Sequence, residues 1–118
     1  MGKIYTSYFA HMRHMPSNAF VLGITRFPPK GFKGVNSTAL APSELLLKMY
    51  KNKDIDEYVY KQMYYDELRE RGLTPELVRR AFEMLSTDVI LCCYEAPGDF
   101  CHRHLLAEWL GGDIEELP

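Results

Sequence analysis

The sequence predicts a compact α/β domain with a small, mostly parallel sheet and a three-layer-like arrangement of helices around it. The main observation is residues 88–94 (DVILCCY), a continuous apolar run between turn-forming residues, which is typical of a strand buried on both faces of such a sheet. Two strand-like segments precede it and helical patterns fill much of the rest, giving the order ββαααβα. The 118 residues, 47% of them hydrophobic, suit one domain over residues 1–118.

The first third of the chain predicts two strands and a loop. Residues 4–9 and 19–25 are rich in β-branched and aromatic side chains, as strands are. The segment 11–18 contains Pro16 and is shorter than a parallel crossover usually requires, so the sequence leaves open whether these strands are antiparallel or joined by a shortened helix. Residues 26–42 are rich in Gly, Pro and Lys, which predicts a long surface loop and a candidate lid.

Two helices follow this loop in the prediction. Ser43 has the position of an N-cap for a helix over residues 44–50. Asp54 and Glu57 have the spacing of a capping box, which predicts that a longer helix begins there and ends before Gly72.

The longer helix carries four tyrosines, a residue type that can stack on nucleic-acid bases: Tyr58, Tyr60, Tyr64 and Tyr65. Tyr60, Tyr64 and Leu68 also follow the i, i+4 spacing of a packing stripe, and we favour packing over base stacking. A third helix begins with Thr74 as N-cap and Pro75 at its first position.

The charge distribution is uneven along the chain. Residues 1–43 carry five basic and no acidic side chains, whereas residues 44–118 carry nine basic and sixteen acidic ones. The basic part fits either ordinary solvated charges or a surface that binds anions. Since the net charge is −2, a duplex-binding protein is disfavoured, and a nucleotide, a short single strand or another small anion fits better.

The sequence predicts a cytoplasmic protein without a membrane partner. No apolar run approaches the roughly 20 residues that cross a bilayer, and residues 1–9 alternate polar and apolar side chains instead of forming a signal-peptide stretch. In that compartment Cys92, Cys93 and Cys101 are expected to be reduced thiols. No motif identifies a cofactor, because phosphate-loop, dinucleotide, GxSxG and CxxC signatures are absent.

Five side chains are expected to meet in one cleft. Glu95 follows the last predicted strand, while Cys101, His102 and Arg103 begin a helix over residues 101–110. Arg26 follows the second strand. Because ligands of open α/β sheets collect at the carboxyl ends of the strands, these positions predict a binding or catalytic site.

A carboxylate at the end of a buried strand needs a partner, and Arg103 or Arg26 can supply it. Held by an arginine, Glu95 stays charged, whereas in an apolar pocket it has a raised pKa and can act as a general acid or base. The sequence leaves both possibilities open.

On a helical wheel, His102 faces the sheet and His104 faces water. His102 fits either a hydrogen-bonded core histidine or a proton-transfer group. Cys101, at a helix N-terminus beside His102, fits either a stabilised thiolate or a small buried hydrophobe. A metal site is not predicted: His102 and His104 point to opposite sides, and the spacing of His11 and His14 is a weak signal.

The run over residues 89–110 (VILCCYEAPGDFCHRHLLAEWL) resembles the signature of the domain-of-unknown-function 488 family, in which an apolar strand ends in Cys-x-Glu and Cys-His-Arg opens a helix. Residues 4–9, 26–28 and 40–42 resemble the short branch found in bacteria and their phages. The family implies an α/β domain and no established reaction. The positions that match its motifs are Thr6, Ser7, Arg26, Cys93, Glu95, Cys101, His102 and Arg103.

These observations lead to two main functional hypotheses, with metal-dependent hydrolysis as a third. In the first, the protein binds a small anionic ligand, such as a nucleotide, a phosphate-bearing metabolite or a nucleic-acid end. The predicted ligand-binding residues are Arg26, Arg103, Thr6 and Ser7, and the predicted catalytic residues are Glu95, Cys101 and His102. The alternative is a non-enzymatic module that binds protein or nucleic acid, in which Glu95 and Arg103 form a structural pair.

Overall fold

The computed structural model describes residues 2–13, 18–94 and 100–118. Its strands are β1 Ile4–Tyr8, β2 Ala19–Gly23, β3 Val35–Asn36, β4 Asp88–Cys93 and β5 Glu115–Glu116. They form one sheet in the order β3-β2-β4-β1-β5, and every recorded pairing is parallel. The predicted α/β class with a parallel sheet is therefore confirmed.

The apolar strand β4 lies at the centre of this sheet, as the sequence predicts. It pairs with β1 on one side, where Tyr8 lies opposite Cys93, and with β2 on the other, where Gly23 lies opposite Cys92. The first two strands are thus both parallel to β4 and are separated by it. The chain between them contains a one-turn 3₁₀ helix, His11–Arg13.

Four α-helices accompany the sheet: α1 Glu44–Lys51, α2 Glu57–Glu70, α3 Pro75–Glu83 and α4 His102–Leu110. The predicted caps at Ser43 and Thr74 are confirmed, because each side chain accepts a hydrogen bond from a backbone N–H of the first helical turn. The predicted capping box at Asp54 is wrong. Asp56 caps α2 instead, since it directly precedes the helix and accepts from the Val59 N–H at 2.8 Å.

The two faces of β4 contribute to different apolar clusters. Val89, Leu91 and Cys93 belong to the larger cluster, which the helices share, whereas Ile90 and Cys92 belong to a smaller cluster on the other face. Two tyrosines of α2 complete the larger cluster. Tyr60 and Tyr64 are buried there, with 2% and 0% of their surface exposed, which confirms packing for both.

Residues 26–42 do not form one long loop, so that prediction is wrong in part. They include β3 and a 3₁₀ helix, Thr38–Leu40. The Tyr64 hydroxyl donates to the Leu40 carbonyl at 2.6 Å, and Arg71 Nη1 donates to the carbonyls of Ala39 and Ala41 at 2.7 Å. These bonds fix the second half of the segment on α2, so a mobile lid could include only its first half.

No helix within the described part of the chain combines the length and the apolar character needed to cross a membrane. The longest, α2, has 14 residues and an exposed polar face.

Candidate functional site

A cleft of about 290 Å³ lies beside the start of α4, and we call it the α4 cleft. Its lining includes Arg26, Tyr50, Tyr60, Phe100, Cys101 and His102. Three of the residues that the sequence singles out, Arg26, Cys101 and His102, therefore contribute to one concave surface.

The parallel topology explains why these residues meet. Strands β2 and β4 run in the same direction, so both end at the same edge of the sheet, and helix α4 begins next to that edge. A second cavity of about 280 Å³ lies at the amino ends of the strands, beside Lys3 and Ile4 at the start of β1. Ligands of α/β sheets bind at the carboxyl ends of strands, which makes the α4 cleft the candidate site.

His102 points inward and His104 is exposed, as the helical wheel predicts. The Nε2 atom of His102 is hydrogen-bonded to the Ile24 carbonyl, which can only accept, so Nε2 carries the proton and Nδ1 a lone pair. Burial and the charge of Arg103 lower the pKa of His102 to about 4, although the bond to Ile24 opposes that shift. The imidazole is therefore neutral at pH 7.

The expectation of three thiols is corrected by the structure. Cys93 and Cys101 form a disulfide, because the end of β4 and the residue before α4 meet at the edge of the sheet. Cys101 Sγ also lies 3.9 Å from His102 Nδ1. Cys92 is a buried free cysteine of β4, and burial raises its pKa to about 12.

Arg103 is fully buried and does not line the α4 cleft. Its Nε and Nη2 atoms donate to the two carboxylate oxygens of Glu116, each at 3.0 Å, and Nη1 lies 3.0 Å from Cys93 Sγ. The guanidinium is also 5.8 Å from the centre of the Tyr8 ring. The structure thus places Arg103 in an ion pair inside the protein and away from the ligand-binding position that the sequence predicts.

Glu116 is a site residue that the sequence analysis misses. It lies in β5, and the Thr6 hydroxyl donates to its Oε1 atom at 2.5 Å. Burial raises the pKa of Glu116, but the hydrogen bonds from Arg103 and Thr6 outweigh it and give a net lowering. The only sequence signal for this strand is the pair of apolar residues Ile114 and Leu117 around two glutamates.

The predicted ligand-binding pair Thr6 and Ser7 is buried within β1. Thr6 is engaged with Glu116, and the Ser7 hydroxyl has no hydrogen-bond partner among the described residues. Neither residue lines the α4 cleft. Glu95, predicted as the acid or base and as the partner of Arg103, lies outside the described residues, as does His14.

Arg26 is the cationic side chain that the structure places at the α4 cleft. It is half-buried, and its Nε atom donates to the Pro42 carbonyl at 3.0 Å. Its Nη atoms make no hydrogen bond or ion pair with any other described residue, so they keep their donors for a ligand.

An aromatic wall faces the same space. The sequence pattern favours packing over base stacking for Tyr60 and assigns no role to Tyr50 or Phe100. The rings of Tyr50, Tyr60 and Phe100 lie 4.9 to 5.3 Å apart in tilted or edge-to-face contacts. A tilted aromatic surface of this kind accepts a flat ring as well as an apolar side chain.

Among the described residues, one group of side chains has the composition of a metal-binding set. The sulfur atoms of Cys93 and Cys101 and a ring nitrogen of His102 all lie within 4.8 Å of one another, and all three residues are buried.

A comparison with known protein families identifies the family of this chain. The model of DUF488-N3a, described as the active DUF488-N3 subclade, matches residues 4–113. The chain belongs to the DUF488 family. This confirms the resemblance drawn from the residues. In this DUF488 protein Cys93 ends β4, and Cys101 directly precedes α4. No curated protein and no solved structure matches the chain.

Proposed function

We propose that this DUF488 protein binds a small anionic ligand in the α4 cleft and that a nucleotide is the favoured class. The observation that carries the proposal is the combination of the Arg26 guanidinium and an aromatic wall in one space of about 290 Å³. Such a volume is near the lower end of small-molecule sites, which suits one metabolite or a nucleic-acid end better than a duplex.

Two groups would hold the anionic part of the ligand. The Nη atoms of Arg26 can donate two parallel hydrogen bonds to a phosphate or carboxylate. The first turn of α4 adds backbone N–H groups, because the side chain of its N-cap, Cys101, forms no capping hydrogen bond. Tyr50 and Phe100 would contact a ring of the ligand.

The proposal extends to chemistry in the reduced form of the protein. Once the disulfide is reduced, the Cys101 thiol faces the lone pair of His102 Nδ1, 3.9 Å away in the present geometry. The Nδ1 lone pair can accept a hydrogen bond from this thiol and orient it as a nucleophile, while the lowered pKa of His102 keeps the proton on the sulfur until the thiol reacts. Glu95 keeps its predicted acid or base role in this scheme. A cytoplasmic location and a bacterial or phage origin also remain part of the proposal.

Calorimetric titration of the reduced protein tests the binding step. The probes are inorganic phosphate, nucleoside monophosphates and short single-stranded oligonucleotides. We expect Arg26→Ala to weaken binding about tenfold, or about 1.4 kcal/mol, because it removes a charged donor pair. Lys30→Ala is the matched control, since it removes the same charge from a cavity that Arg26 does not line.

Two results would contradict this proposal. One is the absence of binding heat with all three probes. The other is an equal loss of affinity in Arg26→Ala and Lys30→Ala, which would indicate general charge attraction instead of a built site.

One observation favours the second candidate, an interaction module. Lys30 and Lys33 line a neighbouring cavity of about 630 Å³ together with the aromatic residues Phe9, Phe32 and Tyr94, of which Tyr94 also borders the α4 cleft. Basic and aromatic side chains in one groove suit single-stranded nucleic acid. In that case Lys30→Ala would weaken oligonucleotide binding and Arg26→Ala would not.

A further inference from the structure

We infer that the reduced protein has a binding site for a thiophilic divalent cation, with zinc as the favoured ion, formed by Cys93, Cys101 and His102. Their donor atoms lie within 4.8 Å of one another, and the three side chains are buried. Two thiolates and one imidazole are a donor set of zinc sites that keep a fourth position open for water or substrate.

The orientation of His102 supports this assignment. Its Nε2–H is held by the Ile24 carbonyl, so Nδ1 faces Cys101 Sγ at 3.9 Å. Imidazoles that bind metals commonly donate their second ring N–H to a backbone carbonyl, which fixes both the tautomer and the ring direction. Tetrahedral zinc with bonds of about 2.0 to 2.3 Å separates its sulfur and nitrogen ligands by roughly 3.5 Å, close to the distance observed here.

Arg103 supports the sulfur ligand at the end of β4. Its Nη1 atom lies 3.0 Å from Cys93 Sγ, and a cationic donor at that distance favours the thiolate that a metal requires. The guanidinium is itself paired with both carboxylate oxygens of Glu116. Its positive charge is therefore balanced within the protein and adds little repulsion toward a cation.

The disulfide and the metal exclude each other, because both need the same two sulfur atoms. The Cα atoms of Cys93 and Cys101 are 7.3 Å apart, wider than the 4.4 to 6.8 Å that disulfides usually span. This Cα spacing suits two sulfur atoms that both bind one metal ion instead of each other. A phosphine and water convert the disulfide to two thiols and a phosphine oxide, a two-electron reduction, and binding of the cation then releases the two thiol protons.

The fourth position of the site would face the α4 cleft, since Cys101 and His102 both line it. The inference goes beyond anion binding and does not depend on it. A titration carried out without phosphate or nucleotide tests the cation alone, so the two proposals can fail separately.

The experiment is a titration of the phosphine-reduced protein with Co²⁺ under anaerobic conditions, followed by Zn²⁺. We expect one equivalent of Co²⁺ to bind per chain, with a thiolate-to-cobalt charge-transfer band and the intense visible bands of a tetrahedral site, and Zn²⁺ to displace it. Cys93→Ser and Cys101→Ser should each weaken binding at least tenfold. Cys92→Ser is the matched control, because Cys92 is the neighbouring residue of β4 on the opposite face of the sheet.

Three results would overturn the inference: no charge-transfer band in the reduced wild type, equal binding by the oxidised wild type, or an equal loss in Cys92→Ser. If a serine variant fails to fold, the comparison of the reduced with the oxidised wild type still tests the inference, because both have the same sequence. Circular dichroism verifies the fold of both forms, and intact mass verifies the gain of two hydrogens on reduction.

Discussion

His102 and Arg103 are consecutive buried residues of α4, yet their surroundings differ. His102 borders the α4 cleft together with Cys101, whereas Arg103 is fully buried in an ion pair with Glu116. Both belong to the Cys-His-Arg element that marks the family. The difference teaches that consecutive residues of a short motif can have different surroundings, one beside a cleft and one inside the scaffold, so each position needs its own test.

The largest loss of stability is expected from a substitution that breaks the ion pair between Arg103 and Glu116. Glu116→Gln leaves the Arg103 charge buried with a weaker partner, and we expect the free energy of unfolding to fall by about 3 kcal/mol. Urea denaturation of the reduced protein at pH 7 measures it. Glu115→Gln, at the exposed neighbouring position of β5, should change it by less than about 0.5 kcal/mol. Equal effects of the two substitutions would mean that the buried pair does not contribute specifically to stability.

The next effect concerns the histidine beside the cleft. His102→Leu introduces an apolar side chain of similar size but leaves the buried Ile24 carbonyl without its donor, which should cost about 2 kcal/mol. His104→Leu, two positions along α4 and exposed, serves as the control and should cost less than about 0.5 kcal/mol. If His102→Leu unfolds no more easily than His104→Leu, the bond to Ile24 is not a stabilising contact.

The pH dependence of stability sharpens the comparison further. Because the pKa of Glu116 is lowered below 4.5 in the folded protein, its contribution is fully present above pH 4.5 and is lost as the pH falls through the lower folded value. Urea denaturation between pH 7 and pH 3 should show a steeper acid loss in the wild type than in Glu116→Gln. Parallel curves would rule out a charged Glu116 as the cause.

The smallest change in stability is expected for Arg26. Its only hydrogen bond within the described residues joins Nε to the Pro42 carbonyl, so Arg26→Ala should lower the free energy of unfolding by about 1 kcal/mol or less. The same variant should lose ligand affinity. A large loss of stability in Arg26→Ala would instead assign this arginine to the scaffold, as for Arg103.

The sequence predicts the elements whose signals are local. The apolar run of residues 88–94 identifies β4 and its central place in the sheet. The caps at Ser43 and Thr74 identify helix starts, because a cap needs only one side chain and a backbone N–H three residues later. The grouping of Arg26 with His102 follows from a general rule about parallel strands. These predictions need no knowledge of distant contacts.

Features set by distant contacts could not be predicted in this way. Strands β3 and β5 have two residues each, too short for an alternating pattern. The described carboxylate that pairs with Arg103 belongs to Glu116, and the pairing of β5 with β1 brings it near. The structure of residues 38–42 depends on donors from α2, among them Tyr64. The bond between Cys93 and Cys101 depends on how the end of β4 and the start of α4 meet in space.

The same short strands have a consequence for how molecules of this protein behave at high concentration. A long unpaired sheet edge offers a row of backbone groups that can recruit another chain and begin aggregation. Here both edges of the sheet are formed by strands of two residues, and one of them, β5, consists of two glutamates. The parallel sheet therefore presents little template for intermolecular pairing, and the exposed carboxylate of Glu115 repels the same charge on a second copy that approaches the β5 edge.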